Sequence, residues 1–414
     1  MSTKNKIGIT LSLIVCAVVA VVALSPSGLA AATAPAMPVA APASAPTVNS
    51  DGTVTFSLRA PGATHVYLNL QNMVGLSPAY NSYLMTEGAN GVWSITMGPT
   101  VPGLMGWTNP PAPLAPNWYG YGFNIDGTPP VVPPTNPTVS TTATAAGGVN
   151  IPDPANRDIW SGATSAWSML MVPGPAADFM ADAAVPHGAW ATVRYYSNLA
   201  QKERQMTVYT PPGYNHDNRV YPVFYLLHGA GGNDTDWTAN MWANYIMDNL
   251  IAQKKAVPMI VVMPDCNADG FPANSWPDEL LGNIVPYIEQ NYRAAPGGQN
   301  RALAGLSMGA SRTSITVFSH PGDFAYAGLF SGGFTPSTAY PESLLDNPDL
   351  NKLTKLLWLS HGPLETAGST LPALLDAHHV NYTYVPGAEI GANGGHVWDT
   401  WRHHLFEFAQ LLFK

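Results

Sequence analysis

A serine flanked by glycines follows a short apolar run in the last third of this 414-residue chain. Residues 301–304 are typical of a buried strand, and Ser307 stands in the pentapeptide Gly-Leu-Ser-Met-Gly at 305–309. In a Gly-x-Ser-x-Gly pattern, a strand runs into a sharp, strained turn where glycines remove side chains that would clash. The turn exposes the serine hydroxyl, which a base must reach before the serine can act as a nucleophile. The pattern therefore predicts a strand, a tight turn and a helix, with Ser307 as the candidate nucleophile.

A glycine-rich loop upstream can supply the hydrogen-bond donors that such a nucleophile requires. Residues 221–227 form an apolar run too short for a helix, which predicts a buried strand, and the loop 228–232 (His-Gly-Ala-Gly-Gly) follows it. Small residues let backbone N–H groups approach the negative charge that develops on a reacting carbonyl oxygen. We predict that Gly229 and Ala230 form this oxyanion hole together with Met308, the residue after the serine.

A histidine and a carboxylate complete the candidate triad further along the chain. His396 precedes a terminal amphipathic helix, and Glu365 lies in the loop beyond the predicted strand 355–359. An acid is needed there because it holds the imidazole in the tautomer that accepts the serine proton. The chain order Ser307, Glu365, His396 is that of the α/β-hydrolase fold and differs from the orders of chymotrypsin and subtilisin.

Two other carboxylates compete with Glu365 for the role of the acid. Asp376 falls inside the predicted helix 371–379 and is expected to face solvent. Asp399 is too close to His396 in sequence to orient its ring from the opposite side. Glu365 therefore remains the predicted acid.

Aromatic side chains are the candidates for substrate contact. We predict that Trp237, which follows the oxyanion loop, and Trp398, which lies beside the candidate base, are substrate-binding residues. In the N-terminal part, Trp107, Trp118 and Tyr119 could stack on sugar rings, although aromatic residues of a small sandwich more often belong to its core.

Two patterns of hydrophobicity divide the chain. Through residues 185–414 short apolar strands alternate with helices, which predicts a doubly wound, mostly parallel sheet with its active-site loops at the carboxyl ends of the strands. Residues 49–128 show period-two alternation interrupted by Gly, Pro and Asn turns, which predicts a small immunoglobulin-like β-sandwich. Residues 129–184 are predicted to be a linker. The expected class is α/β, with an α/β-hydrolase fold preceded by this sandwich.

The first 48 residues are predicted to be an export signal followed by a tether. Lys4 and Lys6 precede the apolar stretch 7–24, and small residues at 28–32 suit cleavage, so residues 1–32 have the pattern of a signal peptide. Residues 33–48 are rich in Ala and Pro and predict an extended tether. A secreted or periplasmic protein without stable membrane insertion is expected, and an uncleaved membrane anchor is the alternative.

Composition excludes several classes of partner and cofactor. Lys and Arg number 17 against 26 Asp and Glu, so no basic surface predicts nucleic-acid binding. Only 10% of residues are charged, which suits an extracellular protein that meets neutral polymers. Cys266 is the single cysteine beyond the predicted signal peptide and is expected to be a packed loop residue. We find no metal-ligand spacing and no phosphate-binding loop, and therefore predict no metal and no cofactor.

Taken together, these motifs resemble the bacterial esterase-D-like family. This family includes feruloyl, acetyl xylan and enterochelin esterases, with the mycolyltransferases as more distant relatives. The likeness is carried by residues 185–188, 195–197, 208–214, 225–229, 305–309 and 395–398. The predicted sandwich and residues 153–156 are similar to members with an N-terminal early-set domain related to glycogen-binding modules.

The resemblance implies a serine carboxylesterase that forms an acyl-enzyme on Ser307, with His396 as base, Glu365 as acid, and Ala230 and Met308 as oxyanion donors. The expected substrate is an acylated carbohydrate, a feruloyl or acetyl ester of plant cell-wall polysaccharide. The alternatives are an acyltransferase of the mycolyltransferase type, a siderophore esterase and a broad aryl or short-chain esterase. A siderophore esterase would require cationic groups near the site, for which Arg312 is the candidate. The oligomeric state remains open.

Overall fold

The structure of this chain, a computed structural model, describes residues 41–42, 45–70, 81–97, 114–127, 148–161, 166–365, 370–392 and 394–414. The predicted signal peptide, most of the predicted tether and Trp107 lie outside the described residues. No helix in the described ranges is long and apolar enough to cross a membrane.

The N-terminal region is built of two antiparallel sheets. Its strands are β1 (Ala41–Pro42), β2 (Thr47–Val48), β3 (Val54–Arg59), β4 (Val66–Leu70), β5 (Asn81–Leu84), β6 (Thr86–Glu87), β7 (Val92–Met97), β8 (Asn117–Ile125), β9 (Val149–Ile151), β10 (Ile159–Ser161) and β11 (Ala166–Val172). One sheet has the order β1-β3-β7-β6, with β2 also on β3, and the other has the order β10-β11-β8-β4-β5, with β9 on β8. Phe56 of the first sheet packs edge-on against Tyr121 of the second, with ring centroids 5.0 Å apart. The predicted sandwich thus has a shared apolar core.

The sandwich extends further along the chain than predicted. Strands β9, β10 and β11 all fall within residues 129–184, the predicted linker, and β11 pairs with β8 from Ser168 to Val172. The prediction of a linker is wrong for these strands. Strands β9 and β10 have only three residues each, so their local periodicity is weak. Pairing defines the three strands: β9 and β11 pair with the distant strand β8, and β10 pairs with β11.

An eight-stranded mixed sheet forms the C-terminal part. Its strands are β12 (Ala189–Ser197), β13 (Lys202–Thr210), β14 (Val223–Leu227), β15 (Ile260–Pro264), β16 (Arg301–Leu306), β17 (Tyr326–Phe330), β18 (Leu356–Ser360) and β19 (Thr383–Tyr384). The spatial order is β12-β13-β15-β14-β16-β17-β18-β19. Strands β12 and β13 are antiparallel to their neighbours, and the strands from β15 to β19 are parallel. The predicted mostly parallel α/β-hydrolase sheet is confirmed.

Helices cover both faces of this sheet. They are α1 (Asp236–Ala239), α2 (Ala243–Ala252), α3 (Trp276–Glu279), α4 (Val285–Asn291), α5 (Met308–Ser319), α6 (Asp349–Leu353), α7 (Thr370–Ala377) and α8 (Trp398–Ala409). Alternate residues of β14 enter two separate cores: Phe224 packs with α2 and α8, and Tyr225 packs with α3, α4 and α5. After β15 the chain crosses over β14 to form β16, so the connections diverge on either side of β14. Crevices at the carboxyl ends of strands form where the strand order reverses in this way.

The sandwich and the sheet share one hydrophobic core. Trp118, Trp167 and Met169 of the sandwich belong to the same buried cluster as residues of α2 and α8. Trp118 and Tyr119 are only 6% and 4% exposed. Neither ring is available as a platform for sugars, which corrects that suggestion. Residues Pro38–Lys414 accordingly form one compact unit.

A buried histidine in this core makes stability depend on pH. His404 of α8 is fully buried, and neither ring nitrogen has a hydrogen-bond partner in the described part of the chain. Burial, with smaller effects from His361 and His403, holds its pKa well below the ordinary value. In acid the unfolded chain therefore binds a proton that the folded chain does not. We expect the free energy of unfolding to fall below about pH 6.5, by up to about 1.4 kcal/mol per pH unit.

The measurement is urea unfolding of the wild type and His404→Leu between about pH 7 and pH 5. The variant should lose less stability on acidification, because leucine has no proton to take up. His378 is a control for which the expected change in stability with pH has the opposite sign. Hydrogen bonds to Glu342 and Asp346 raise its pKa, so its protonation stabilises the fold in acid, and this stabilisation is lost as the pH rises through that pKa. His378→Gln should therefore lose more stability on acidification. An unchanged pH slope in His404→Leu would contradict the assignment.

Candidate active site

Ser307 lies at a strained turn between β16 and α5. Its backbone has φ 53° and ψ −115°, a conformation that is costly for a residue with a side chain. The two flanking glycines explain how the chain passes through this turn. A Cβ on Gly305 would lie 2.6 Å from the carbonyl carbon of Gly309, and a Cβ on Gly309 would lie 2.6 Å from the carbonyl oxygen of His228. The predicted turn therefore places Ser307 at the carboxyl edge of the sheet, beside the end of β14.

The loop after β14 is in position to offer a backbone donor. A Cβ on Gly229 would lie 3.5 Å from the Cβ of Ser307, so the backbone here approaches the serine closely. The Gly229 carbonyl accepts a hydrogen bond from Nδ1 of His228 at 2.7 Å. In a trans peptide, the carbonyl of one residue and the N–H of the next residue point in opposite directions. Because the Gly229 carbonyl points toward the His228 ring, the Ala230 N–H points away from that ring. Met308 is the first residue of α5, and its N–H has no acceptor within the helix.

The ring of His228 is buried and held from both sides. The backbone N–H of Cys266 donates to its Nε2 at 2.9 Å, and therefore Nδ1 must carry the proton that binds Gly229. Cys266 is fully buried, and its thiol donates to the His228 carbonyl oxygen at 3.4 Å. The cysteine is thus a packed residue that supports the loop. This agrees with the expectation from its sequence position.

The structure brings Glu365 and His396 into direct contact. Nδ1 of His396 lies 2.5 Å from Oε1 of Glu365, whose side chain is only 6% exposed. Because an ionised carboxylate only accepts, Nδ1 is the donor, and Nε2 is left free to accept a proton. A Cβ on Gly362 would lie 2.5 Å from the carbonyl oxygen of Gly395, so this glycine lets the acid loop and the histidine loop touch.

Three donors converge on the Glu365 carboxylate. Besides His396, the hydroxyl of Ser331 donates to Oε2 at 2.7 Å and the N–H of Gly362 donates to it at 2.5 Å. Burial favours the neutral acid, but these hydrogen bonds outweigh it and hold the pKa of Glu365 below its ordinary value. The carboxylate is therefore charged at neutral pH. Asp376, by contrast, is an exposed residue of α7 that accepts a hydrogen bond from Tyr382.

Ser331 is a site residue that the sequence reasoning missed. It directly follows β17. In the sheet, β17 lies between β16, the strand that precedes Ser307, and β18, the strand that precedes Glu365. The sequence contains one signal for it, a Ser-Gly-Gly triplet at 331–333 immediately after a buried apolar run. Small polar residues at the carboxyl end of a parallel strand lie at the edge of the sheet where sites form.

Ser307 is linked to the Glu365–His396 pair through the backbone at the end of β17. Its N–H donates to the carbonyl of Phe330 at 2.9 Å, next to the serine that holds Glu365. Within the described chain, no hydrogen bond joins the Ser307 hydroxyl to His396. Catalytic hydrogen bonds of free enzymes are often long and tighten only when a substrate is bound. Ser307 and the His396 ring are both partly exposed and thus accessible.

The two predicted substrate-binding tryptophans occupy different environments. Trp237 is 1% exposed and packs edge-on against Phe330 in the core, with ring centroids 6.4 Å apart. The predicted contact of Trp237 with a substrate is therefore corrected. Trp237 lies in α1, the helix that follows the oxyanion loop, and this helix directs the indole into the core. Trp398 is half-buried at the start of α8, with its ring against Trp401.

Fold and site together define an α/β-hydrolase with a serine elbow, a glycine loop and a histidine–carboxylate pair at one edge of its sheet. Comparison with known proteins agrees with this class. A family model for esterases matches residues 197–411, more than half of the chain. The chain belongs to this esterase family.

Individual relatives cover different parts of the chain. The endo-1,4-beta-xylanase/feruloyl esterase of Xylanibacter ruminicola is 30% identical over 385 residues, which are 89% of this chain and 46% of the relative. This chain thus spans about half the length of that relative. A ferulic acid esterase from Anaeromyces mucronatus, solved with ferulic acid, has a TM-score of 0.52 and 22% identity over 58% of this chain and 96% of its own. The enterobactin esterase FES of Shigella flexneri has a TM-score of 0.54 and 18% identity over 87% and 92% of the two chains.

Proposed function

We propose that this chain is a secreted serine hydrolase that cleaves feruloyl or acetyl esters of plant cell-wall polysaccharide through an acyl-enzyme. The observation that carries the chemistry is the Glu365–His396 pair, whose acid accepts from Ser331, the residue after the Phe330 carbonyl that binds the Ser307 N–H. The feruloyl preference is supported by the Xylanibacter relative, a xylanase/feruloyl esterase that aligns with 89% of this chain. Export is supported by the signal-peptide pattern of residues 1–32, and amino-terminal sequencing of the exported protein tests cleavage there.

The proposed reaction has two half-reactions. Ser307 Oγ attacks the ester carbonyl while its proton passes to Nε2 of His396, and the carbonyl electron pair moves onto oxygen. The backbone N–H groups of Met308 and Ala230 bind this oxyanion. As the oxyanion collapses, the ester bond breaks and His396 returns the proton to the departing alcohol. Water, activated by the same nitrogen, then attacks the acyl-enzyme and releases the acid and free Ser307.

The ionised Glu365 makes this proton shuttle possible. Its carboxylate keeps the proton of neutral His396 on Nδ1, which leaves Nε2 unprotonated for the serine. When the ring becomes an imidazolium, the adjacent negative charge stabilises it. Ser331 and Gly362 hold the carboxylate in place during both half-reactions.

A siderophore esterase is the second candidate, because the likeness to FES extends over 87% of this chain. Such a substrate is anionic and needs exposed cations. Arg312, the cation predicted for this role, is 7% exposed, donates to the Ala273 carbonyl at 3.2 Å and lies over the Trp276 ring. Its guanidinium is already engaged inside the protein, which favours a neutral carbohydrate ester.

Substrate comparison tests the proposal. The mature chain would be assayed on feruloylated arabinoxylan oligosaccharide, acetylated xylo-oligosaccharide, ferric enterobactin and p-nitrophenyl acetate, with Ser307→Ala as the blank. We expect kcat/KM for a carbohydrate ester to exceed that for enterobactin by at least about 100-fold, since the guanidinium of Arg312, the cation predicted to bind the anionic substrate, is buried and engaged within the protein. Hydrolysis of p-nitrophenyl acetate without release of ferulate or acetate from either saccharide would refute the polysaccharide assignment. Transfer of the acyl group to an added sugar, faster than hydrolysis, would identify an acyltransferase.

A further inference from the structure

One buried arginine connects three segments that are distant in the sequence. Arg402 of α8 is fully buried and forms no ion pair within the described chain. Its Nη1 donates to Oδ1 of Asn117 at 2.8 Å, and its Nη2 donates to the carbonyl of Asn240 at 2.8 Å. The Asn117 amide in turn donates to Oδ1 of Asp399 at 2.8 Å. We call Asn117, Asn240, Asp399 and Arg402 the Arg402 clasp.

Each segment of the Arg402 clasp adjoins a different part of the site. Asn117 is the first residue of β8 and belongs to the N-terminal sandwich. Asn240 ends α1, the helix that follows the oxyanion loop. Asp399 and Arg402 lie on α8, which begins two residues after His396. The sandwich is thus hydrogen-bonded to α8, and Arg402 of α8 is in turn hydrogen-bonded to the residue that follows α1.

A direct contact links the Arg402 clasp to the catalytic ring. Trp401, between Asp399 and Arg402 on α8, is 4% exposed and meets the His396 ring at a right angle, with centroids 4.9 Å apart. The position of α8 therefore determines where the Trp401 indole lies, and this indole bounds the ring of His396. Rotation of α8 by a fraction of a turn would move His396 relative to Ser307.

Aromatic packing strengthens the same junction. The ring of Trp118, next to Asn117 on β8, stacks on the Trp242 ring at 3.8 Å between centroids, and Trp242 follows α1 closely. The Trp118 indole N–H also donates to the Met180 carbonyl at 3.3 Å. The sandwich side of the junction is therefore fixed to the hydrolase core at several points, and it can act as a rigid support for α1 and α8.

We propose that the N-terminal sandwich is a positioning part of the catalytic apparatus: through the Arg402 clasp it holds α8 and α1 so that His396 and the oxyanion loop keep their placement about Ser307. Asn117 and Arg402 are positioning residues, since they touch neither the substrate nor the reacting atoms. This inference rests on the proposed role of His396 as the base. Burial of a guanidinium without an ion pair costs desolvation free energy. The hydrogen bonds by which Arg402 joins three segments of the chain offset part of that cost.

The test is Asn117→Ala in the full chain, measured well below the melting temperature. We expect kcat for p-nitrophenyl acetate and the rate of Ser307 labelling by a fluorophosphonate probe each to fall about tenfold, because small displacements of catalytic groups are costly. KM should stay within about twofold of the wild-type value. Asn69→Ala is the matched control: Asn69 is a buried asparagine of the same sheet, hydrogen-bonded to Asn150 and Ser82 within the sandwich. It should keep wild-type kcat even if it lowers the melting temperature.

A second pair of variants tests the same inference if Asn117→Ala does not fold. Asp399→Asn keeps an oxygen that accepts from Asn117, whereas Asp399→Ala does not, so only the alanine variant should lose kcat. Wild-type kcat in folded Asn117→Ala or in Asp399→Ala, or an equal loss in Asn69→Ala, would overturn the inference. A failure of the proposed function would give a different result, because the wild type itself would then not react with the fluorophosphonate. That result would overturn both proposals. Neither probe contains a feruloyl group, so the outcome is independent of the substrate assignment.

Discussion

Ser307→Ala is expected to lower kcat for every ester substrate by at least about 10⁴-fold. The covalent half-reactions need an oxygen nucleophile at the turn, and removal of one member of such a triad leaves only the catalysis due to the oxyanion hole and substrate binding. The measurement is kcat and KM for p-nitrophenyl acetate by wild type and variant at equal concentration of folded protein. KM should change little, because the hydroxyl contributes little to binding before attack.

Ser311→Ala is the matched control for this result. Ser311 lies one helical turn after Ser307 on α5, where its N–H bonds to the Ser307 carbonyl at 3.1 Å. This substitution also removes a serine hydroxyl, but one helical turn further along α5, and kcat should remain within about twofold of wild type. Retention of about a tenth of the wild-type kcat by Ser307→Ala would show that another group is the nucleophile.

The second large effect is expected for Glu365→Gln, with a fall in kcat of about 10³- to 10⁴-fold. Glutamine fills the same space, but it brings no charge to stabilise the imidazolium, and its amide can donate to His396 and so favour the wrong tautomer. Hydrogen bonds keep the pKa of Glu365 below its ordinary value, so the charge of the wild type persists until the pH falls through that lowered pKa. The loss should therefore be present across the neutral pH range.

Asp376→Asn makes the equivalent change at the exposed carboxylate that competed for this role in the sequence. Its hydrogen bond to Tyr382 lies on the surface, and kcat should be unchanged. The acid would be misassigned if Asp376→Asn lost more activity than Glu365→Gln. A pH–rate profile of the three proteins, recorded between about pH 5 and pH 9, distinguishes a lost charge from a general loss of folded enzyme.

Much of the fold could be read from local pattern. The predicted strands 221–227, 301–304 and 355–359 agree within about two residues with β14, β16 and β18, because buried parallel strands form continuous apolar runs. The linker prediction failed for β9–β11, since β9 and β11 depend on pairing with the distant strand β8, and β10 depends on pairing with β11. Trp237 was misjudged for a related reason: a tryptophan after a catalytic loop can point into the cleft or into the core, and only the direction of α1 decides between them.

The candidate site residues also fall into those that a local motif predicts and those that depend on distant contacts. Ser307, Glu365 and His396 stand in short motifs whose chemistry is visible in the sequence, and their roles remain predictions until the variants are measured. Ser331 and the Arg402 clasp carry no motif strong enough to predict. Ser331 and Glu365 are separated by 34 residues, and Asn117 and Arg402 by 285.

By itself, the sequence determined the apolar strands, the glycine-flanked turn and the chain order of serine, acid and base. These are local properties, since hydrophobic runs select buried strands and glycines permit turns that other residues cannot make. Only the tertiary structure decided which donors surround Glu365, which way each tryptophan faces, and how the sandwich is joined to α8. Those contacts join residues that have no local preference for one another, and they exist because packing of the sheet and helices buries polar groups that must then find partners.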